Sequence, residues 1–250
     1  VTWRRPGTRG AILYAVLAAA GSVAVASVAR TESTRRAIRR GLEGPLPGGP
    51  IIVISNHTSF VDGILLALAC RERGRNVRML ATGGVFRTPL LGSVVRTLGF
   101  IPVARGTASA SAALDAAAEA LAAGEAVALF PEGRITRDAG KWPERAKTGA
   151  VRLALRSGAP IVPVAMDGAH EVIGDRAHLL LTLRNLVLPP EVKTLVGSPI
   201  SVAKLVASRG GVEDEPTIRA VADDVMTQLI DLVEELRGQV AEHQSGVPRD

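Results

Sequence analysis

The body of the chain alternates short apolar runs with longer segments of helical periodicity. Runs such as Ile51 to Ser55, bounded by glycine, proline or polar residues, are typical of buried strands. Their alternation with helical segments favours a mainly parallel sheet flanked by helices. We therefore predict an α/β fold with strands near 51–55, 77–81, 100–104, 125–130, 160–165 and 191–196, and helices near 62–72, 85–98, 108–123, 147–157 and 217–237.

An uncharged apolar stretch, Ala11 to Ala29, precedes this body. As a helix it would be about 28 Å long, close to the minimum that spans a bilayer. Its many alanines weaken a transmembrane interpretation, and a shared apolar face favours a helix lying in the membrane interface. A full span, a cleaved signal peptide and a helix packed on the domain stay open as alternatives. The shared face holds Ile12, Leu13, Val16 and Leu17.

The remaining segments divide the chain into three parts. Residues 35–40 predict a short basic helix suited to lipid headgroups, and the Gly- and Pro-rich residues 41–50 end it. We therefore predict a membrane-associating helical arm over residues 1–47 and an α/β domain over residues 48–238. Residues 239–250 are predicted to form a flexible tail.

The positive charge is concentrated in the arm. The whole chain of 250 residues has a net charge of +6 and is 47% hydrophobic, which is enough to bury a substantial core. Residues 1–41 hold eight Arg and one Glu, whereas the rest of the chain holds 22 Lys or Arg and 23 Asp or Glu. An anionic membrane surface is the expected partner of the arm. No nucleic acid partner is expected, because the body lacks a basic face backed by aromatic residues.

The most informative polar stretch, Asn56 to Asp62, directly follows the first strand of the domain. Open α/β sheets usually place their chemistry in loops at the carboxyl ends of parallel strands. Within this loop the Asp62 carboxylate is close enough in sequence to hold the His57 ring. A neutral histidine held in this way can act as a general base toward a hydroxyl. The alternative is that His57 caps the following helix and Asp62 lies in its electropositive first turn.

Charged residues also follow two later predicted strands. Arg105 lies just outside one predicted strand, and Glu132, Gly133 and Arg134 together follow another. If the strands are parallel, these residues gather with His57 at one edge of the sheet. Arginine suits phosphate because its guanidinium can bind two oxygens at once. The pattern indicates a site for an acidic substrate with a hydroxyl, and the alternative for each arginine is a solvated residue or a partner of Glu132.

Several other kinds of site are not supported by the sequence. His170, His178 and His243 show no ligand spacing with cysteine or carboxylate residues, so we predict no metal site. A Walker A sequence, a Gly-x-Gly-x-x-Gly motif after a strand and a Gly-x-Ser-x-Gly elbow are all absent. Nucleotide-binding folds of these types and the common serine hydrolases are therefore disfavoured. Cys70, the only cysteine, lies in an apolar run and is expected to be buried.

Four blocks of residues occur in an order that matches a known family. They are His57 with Asp62 (His-x4-Asp), Gly99 to Arg105, Phe130 to Gly133 (Phe-Pro-Glu-Gly) and the proline-containing Ile161 to Ala165, supported by Lys147 to Ala150 (Lys-x-Gly-Ala). With these blocks the chain, from about Gly48 to Ile200, resembles the glycerolipid acyltransferases of the lysophosphatidic acid acyltransferase family.

The resemblance implies a membrane-bound O-acyltransferase. Asp62 would hold His57, which removes a proton from the free hydroxyl of a lysophospholipid, most directly 1-acyl-sn-glycerol-3-phosphate. The alkoxide would then attack the thioester of acyl-CoA or acyl carrier protein, and phosphatidic acid would form. Donors for the developing oxyanion are expected among the backbone amides of residues 56–62 and 132–134. No cofactor is implied beyond the acyl donor, and the arm would hold the enzyme on the cytoplasmic face of the cell membrane.

The family also implies how the acceptor headgroup is bound, and here the sequence departs from the pattern. Arg105, Glu132, Gly133 and Arg134 match the headgroup-binding positions, although a threonine is common where Arg134 stands. Thr82 occupies a position where many relatives have a lysine thought to contact the acceptor phosphate.

Three cations are candidates to replace that lysine: Arg78, Arg87 and Lys141. Otherwise the acceptor is another lysolipid or a glycolipid. Two rival functions stay open, a non-catalytic lipid-binding protein and a hydrolase that uses the same His57–Asp62 pair to activate water on a thioester.

Overall fold

A seven-stranded sheet forms the centre of the computed structural model, which describes residues 3–33, 44–103, 107–172 and 184–245. The strands are β1 (Arg30–Ser33), β2 (Ile51–Ser55), β3 (Val77–Thr82), β4 (Ile101–Val103), β5 (Ala126–Leu129), β6 (Ile161–Asp167) and β7 (Glu191–Val196). The helices are α1 (Thr8–Val28), α2 (Asp62–Glu72), α3 (Gly83–Arg87), α4 (Leu91–Thr97), α5 (Thr107–Ala122), α6 (Gly149–Ser157), α7 (Ala169–Val172), α8 (Val202–Ser208) and α9 (Glu215–Ser245), with a further helical turn at 184–187.

The sheet is mainly parallel, which confirms the predicted fold. Its strand order is β1-β7-β6-β2-β5-β3-β4, and all neighbours pair parallel except β6 and β7. All six predicted strands are present. The parallel strands β2 to β6 end at one edge, called here the carboxyl edge of the sheet. The loop that carries His57 leaves the middle of this edge, between the ends of β5 and β6.

Helices cover both faces of the sheet. Ile52 and Ile54 of β2 pack in a cluster with α5, α6, α8 and α9, whereas Ile51 and Val53 point into a second cluster with α2. All four side chains are fully buried. An uninterrupted apolar run is what a strand covered on both faces requires. The strand that presents His57 is thus anchored on both sides.

The helix predicted near 85–98 is broken into α3 and α4. Pro89 explains the break, because its ring removes a backbone donor and disfavours the helical conformation in the preceding Thr88. Thr88 accordingly has an extended backbone with φ −69° and ψ 128°. Leu90 then takes a positive φ of 62° in the turn before α4, and both Leu90 and Leu91, the first residue of α4, are exposed.

Two terminal elements differ in extent from the prediction. Strand β1 was not predicted, and it pairs with β7, so part of the arm belongs to the sheet. The last helix was predicted to end near 237 but continues to Ser245, into the segment predicted as a tail. The basic helix predicted at 35–40 and the last tail residues, 246–250, lie outside the described residues.

Pro163, inside an apolar strand, favours either an edge strand or an irregular pairing, and the structure shows the irregular pairing. Strand β6 is flanked by β2 and β7, so the alternative of an edge strand is wrong. The pairing is nevertheless irregular at Pro163, because the ladder with β7 begins only at Val164. The Pro163 carbonyl accepts from the amide of Gly197 (2.8 Å), just beyond the end of β7. Proline has no N–H to return the second bond to Gly197, so only one of the two hydrogen bonds of this antiparallel pair forms.

Helix α1 packs on the domain along one face and exposes apolar side chains on the other. Tyr14 and Ala18 are buried together with Leu98, whereas Ile12 and Val16 are 60% and 58% exposed. The alternative of a helix packed on the domain is therefore correct for one face. By length and composition α1 can also cross a bilayer, with a mean hydropathy of 2.1. This is a weak indication of membrane association, because signal sequences and core helices pass the same test.

Candidate active site

The structure brings His57 and Asp62 together at the end of β2. The Nδ1 atom of His57 lies 2.9 Å from Oδ2 of Asp62. The same oxygen accepts from the backbone N–H groups of Thr58 (2.5 Å) and Ser59 (2.8 Å). Asp62 is fully buried, whereas the His57 side chain is 19% exposed. One carboxylate thus organises the loop and fixes the imidazole, which still reaches solvent.

His57 does not cap the following helix. The N-cap position of α2 is Val61, and no side chain accepts a capping hydrogen bond there. Asp62 is the first residue of α2, so its carboxylate also lies in the electropositive first turn. The capping interpretation is therefore wrong for His57, and the helix-start interpretation of Asp62 holds alongside its contact with the ring.

Asn56, one residue before His57, ties the loop to β6. Its side-chain Nδ2 donates to the carbonyl of Met166 (2.8 Å), and its Oδ1 accepts from the amide of Met166 (2.8 Å). The side-chain amide thus pairs with β6 as a strand backbone would. Asn56 is 1% exposed, so these bonds are shielded from water.

Phe130 and Glu132, which follow β5, contact His57 from the side opposite β6. The His57 ring stacks on Phe130 with ring centroids 4.1 Å apart and an interplanar angle of 14°. The backbone N–H of His57 donates to Oε1 of Glu132 (3.2 Å), and the His57 carbonyl accepts from the amide of Thr136 (2.7 Å). Both ring and backbone of His57 are therefore held by the segment after β5.

Glu132 is buried and uses both oxygens inside the protein. Its Oε2 accepts from the backbone N–H of Glu144 (2.9 Å), in addition to the bond from His57 to Oε1. Burial raises the pKa of Glu132 above its usual 4.5, and the two amide hydrogen bonds oppose this shift. In this structure Glu132 therefore links the His57 loop to the segment around Glu144 and exposes little carboxylate to a substrate.

Gly133 and Arg134 adjoin Glu132 at the carboxyl edge. Gly133 has φ 71°, and a Cβ atom there would lie 2.7 Å from Nζ of Lys147. Arg134 forms an ion pair with Glu144 (3.0 Å), and its side chain is 41% exposed. Arg105, the other predicted headgroup ligand, lies outside the described residues. The structure thus gathers three of the four predicted binding residues beside His57.

Three cations were candidates to replace the lysine that many relatives have where this chain has Thr82, and the structure places them differently. Arg78 is near the start of β3, at the opposite edge from His57, where it bonds to the Leu98 carbonyl (2.9 Å) and to Glu125 (3.0 Å). It is therefore not a candidate. Arg87 is exposed at the end of α3, and Lys141 lies in the segment after β5, so both belong to the carboxyl edge.

Sequence reasoning missed Arg237, near the end of the long helix α9. Its Nε donates to Asp167 (3.0 Å), and its terminal nitrogens donate to the carbonyls of Gly140 (3.0 Å) and Lys141 (3.2 Å). Its guanidinium carbon lies 4.4 Å from the ring centre of Trp142. Arg237 therefore holds the segment after β5 against the end of β6. A lone arginine on a polar helix face gives no sequence signal for this role.

Metal-binding potential is limited in the described part of the chain. No group of three or more His, Cys, Asp or Glu side chains there is placed to hold a metal ion. The site consists of a buried carboxylate, an accessible imidazole and backbone amides. Such an arrangement can move a proton between a bound hydroxyl and His57.

Comparison with known proteins identifies the family. A family model described as Acyltransferase matches residues 29–167, more than half of the chain, and the chain belongs to this family. A chloroplastic 1-acyl-sn-glycerol-3-phosphate acyltransferase from Brassica napus is 31% identical over 54% of this chain and 38% of its own length. An N-acylphosphatidylethanolamine synthase from Arabidopsis thaliana is 29% identical over 77% of this chain and 70% of its own length.

The fold also matches a solved structure. The crystal structure of the 1-acyl-sn-glycerophosphate acyltransferase PlsC from Thermotoga maritima aligns with a TM-score of 0.59 and 17% identity, covering 90% of this chain and 79% of that one. This similarity concerns the fold. The chain spans 38% to 42% of the length of the first curated relatives that it matches.

Proposed function

We propose that this protein is an O-acyltransferase that moves an acyl chain from acyl-CoA or acyl carrier protein to a lysophospholipid. The most direct acceptor is 1-acyl-sn-glycerol-3-phosphate, and the product is phosphatidic acid. The observation that carries the proposal is the contact between His57 and the buried Asp62 at the carboxyl edge of a family-typical sheet. The names of the relatives support this class of reaction.

The contact at Nδ1 supports a separate role for each ring nitrogen. With its proton on Nδ1, facing Asp62, neutral His57 keeps its lone pair on Nε2. Nε2 then takes the proton of the acceptor hydroxyl while the hydroxyl oxygen attacks the thioester carbonyl. The proton next passes to the departing thiolate, so the imidazole is neutral again at the end of the cycle. No covalent intermediate with the protein is required.

The developing oxyanion needs hydrogen-bond donors, and many nearby amides are already used. The amides of His57, Thr58, Ser59 and Gly133 donate to protein oxygens. Among the described residues, the amides of Glu132 and Arg134 in the turn after β5 donate to no protein acceptor. We therefore assign the oxyanion to these two amides. Donors of this kind typically contribute about 100- to 1,000-fold to the rate.

Headgroup recognition is assigned to cations at the carboxyl edge. Arg134 is ion-paired with Glu144 but half-exposed, so a phosphate can share it. Arg105 and Arg87 are the further candidates, and the amine acceptor implied by the name of the Arabidopsis relative is the main alternative to a lysolipid hydroxyl. We also assign the enzyme to the cytoplasmic face of the membrane, held there by α1.

The deciding experiment follows thioester consumption by purified protein with and without acceptor. Wild type, His57→Ala and His57→Gln are compared on acyl-CoA with lysophosphatidic acid, other lysophospholipids and phosphatidylethanolamine. We expect acceptor-dependent release of CoA, reduced by about 100- to 10,000-fold in both variants because the general base is lost.

Other outcomes select the rivals. Release of CoA and free fatty acid without acceptor would identify a hydrolase. Absence of turnover with every acceptor, from a protein that is folded, would favour a lipid-binding protein. Full activity in His57→Ala would contradict the mechanism, whichever acceptor is used.

A further inference from the structure

Large apolar side chains are exposed along one edge of the molecule. Outside α1, nine such side chains are exposed among the described residues, and eight of them lie in or beside connections at the carboxyl edge of the sheet. The ninth is Val212, in the loop between α8 and α9. The eight are Phe60, Ile64, Leu90, Leu91, Trp142, Leu186, Val187 and Leu188.

The opposite edge of the sheet differs from the carboxyl edge. Its connections, at residues 73–76, 98–100, 123–125, 158–160 and 197–201, expose none of the large apolar side chains. Scattered apolar residues are normal on a protein surface and need no explanation. The gathering of eight of the nine side chains outside α1 at one edge is different, because exposed apolar groups clustered in one region mark an interaction surface.

The most exposed of these side chains lie on both sides of the His57 loop. Leu90, after β3, is 86% exposed, and Val187, between β6 and β7, is 80% exposed. In the strand order, β2 stands between these two connections. Leu90 also has φ 62°, a backbone conformation that suits glycine better than leucine. A strained leucine that contacts little of its own protein is better explained by an external partner than by folding.

We propose that the carboxyl edge docks directly on a lipid bilayer, with Leu90–Leu91 and Leu186–Leu188 entering it on either side of His57. This choice of partner rests on the proposed function, because the acyl acceptor is a lipid. Docking through the edge is distinct from attachment through α1. It brings the general base to the headgroup layer, where a lysolipid hydroxyl lies.

Charge at the carboxyl edge fits an anionic bilayer. The segment from 134 to 147, which follows Glu132, carries five cations against two acids. The loop with Val212 continues instead into three consecutive acids at 213–215. Anionic lipids attract basic segments near the surface and repel acidic ones. The five cations are Arg134, Arg137, Lys141, Arg145 and Lys147.

The single cysteine makes a site-resolved test possible. Cys70 is 1% exposed, and burial raises the pKa of its thiol to about 12, so it reacts poorly with thiol reagents. Cysteine can therefore be placed singly at Leu91, Val187, Val16 and Val212 and labelled with an environment-sensitive fluorophore. Each labelled full-length protein is mixed with vesicles of phosphatidylglycerol and phosphatidylcholine, and with phosphatidylcholine vesicles alone. The control position Val212 is 60% exposed in a loop, as a docking position would be.

The expected result is a blue shift and a rise in emission at positions 91 and 187 with the anionic vesicles, and no change at 212. A shift at position 16 alone would show that α1 binds by itself and would overturn the proposal. Equal shifts at all four positions would show non-specific adsorption and would also overturn it. No spectral change at positions 91 and 187 with either vesicle, in proteins that are folded by circular dichroism, would overturn the proposal.

A second measurement uses charge instead of labels. Leu91→Asp/Val187→Asp should need more lipid than wild type for half-maximal vesicle binding in a sedimentation assay, because only attachment through α1 remains, whereas Val212→Asp should bind like wild type. Equal binding by all three proteins would contradict docking through the edge. These readouts need no turnover, so docking and acyl transfer can succeed or fail independently of each other.

Discussion

The imidazole of His57 stacks on the ring of Phe130, with centroids 4.1 Å apart and planes inclined by 14°. Asp62 fixes this imidazole at Nδ1, and Phe130 fixes it across one face. In the proposed role of general base, an imidazole held by two independent contacts would need little reorientation when an acceptor hydroxyl arrives. Rigid placement of a reacting group is itself a source of rate.

Phe130→Leu should therefore slow the reaction and leave the fold intact. Aromatic stacking contributes about 1 kcal/mol beyond buried area, which corresponds to roughly fivefold in kcat. Phe100→Leu is the matched control, because Phe100 is also partly buried but lies at the amino end of β4. Steady-state kinetics of both variants would decide the point, and an equal loss of kcat in the control would contradict a specific role for the stack.

Gly133→Ala should reduce both stability and activity, and Gly124→Ala should reduce stability alone. Both glycines have positive φ, 71° and 81°, so alanine costs about 1 kcal/mol of unfolding free energy at either position. At Gly133 the new Cβ would also meet Lys147, whereas nothing lies within 4 Å at Gly124. Denaturant unfolding and kcat/KM would test this comparison.

The double variant Gly133→Ala/Lys147→Ala separates the two causes of damage at Gly133. Removal of the lysine side chain should recover the part of the stability loss that arises from the collision. No recovery would mean that backbone strain accounts for the whole effect.

The stability of the protein should depend on pH through Glu132. Because burial raises the pKa of this carboxyl, the folded protein holds its proton more tightly than the unfolded chain does. Protonation of Glu132 therefore favours the fold below the usual pKa of 4.5, and this contribution is lost as pH rises above it. The Tm of wild type should fall relative to that of Glu132→Gln as the pH rises above 4.5. A Tm difference that is constant across this range would contradict the raised pKa.

Arg237→Met should loosen the segment after β5 and lower kcat/KM, although Arg237 does not touch the proposed reacting atoms. Loss of three hydrogen bonds and the contact with Trp142 should cost about 2 kcal/mol of stability. Arg237→Lys keeps the charge but not the planar fork, so it should recover only part of the loss.

Arg209→Met provides the control for Arg237. Arg209 forms a two-oxygen ion pair with Asp224 on α9, away from the Trp142 segment. This variant should lose stability without a change in kcat/KM. If both methionine variants lowered kcat/KM equally, the loss at Arg237 would reflect reduced overall stability and not the positioning of the segment after β5.

Local patterns in the sequence were sufficient for the fold and for the centre of the site. Each strand covered on both faces leaves an unbroken apolar run, as β2 does, and His57 and Asp62 are only five residues apart on one loop. Contacts within such a short loop are constrained by chain geometry. The pair could therefore be predicted before any tertiary structure was known, although its catalytic role stays a prediction.

Contacts between distant segments could not be predicted in this way. The Asn56 side chain forms two hydrogen bonds with the backbone of Met166, and Arg237, 95 residues further along the chain than Trp142, packs over its ring. Neither contact leaves a periodic signal. Strand β1 was missed because Arg30 to Ser33 has no apolar residue, and only backbone pairing with β7 makes it a strand.

The junction between α1 and β1 has a mechanical consequence. One buried residue, Ala29, separates the helix from a strand whose first amide already pairs with the Pro190 carbonyl (2.8 Å). With so short a connection, a membrane-bound α1 holds the sheet at a set height and tilt above the bilayer. For the proposed lipid acceptor, delivery would then be a search in two dimensions, because the acceptor would reach His57 by lateral diffusion and the protein would not have to leave the surface between turnovers.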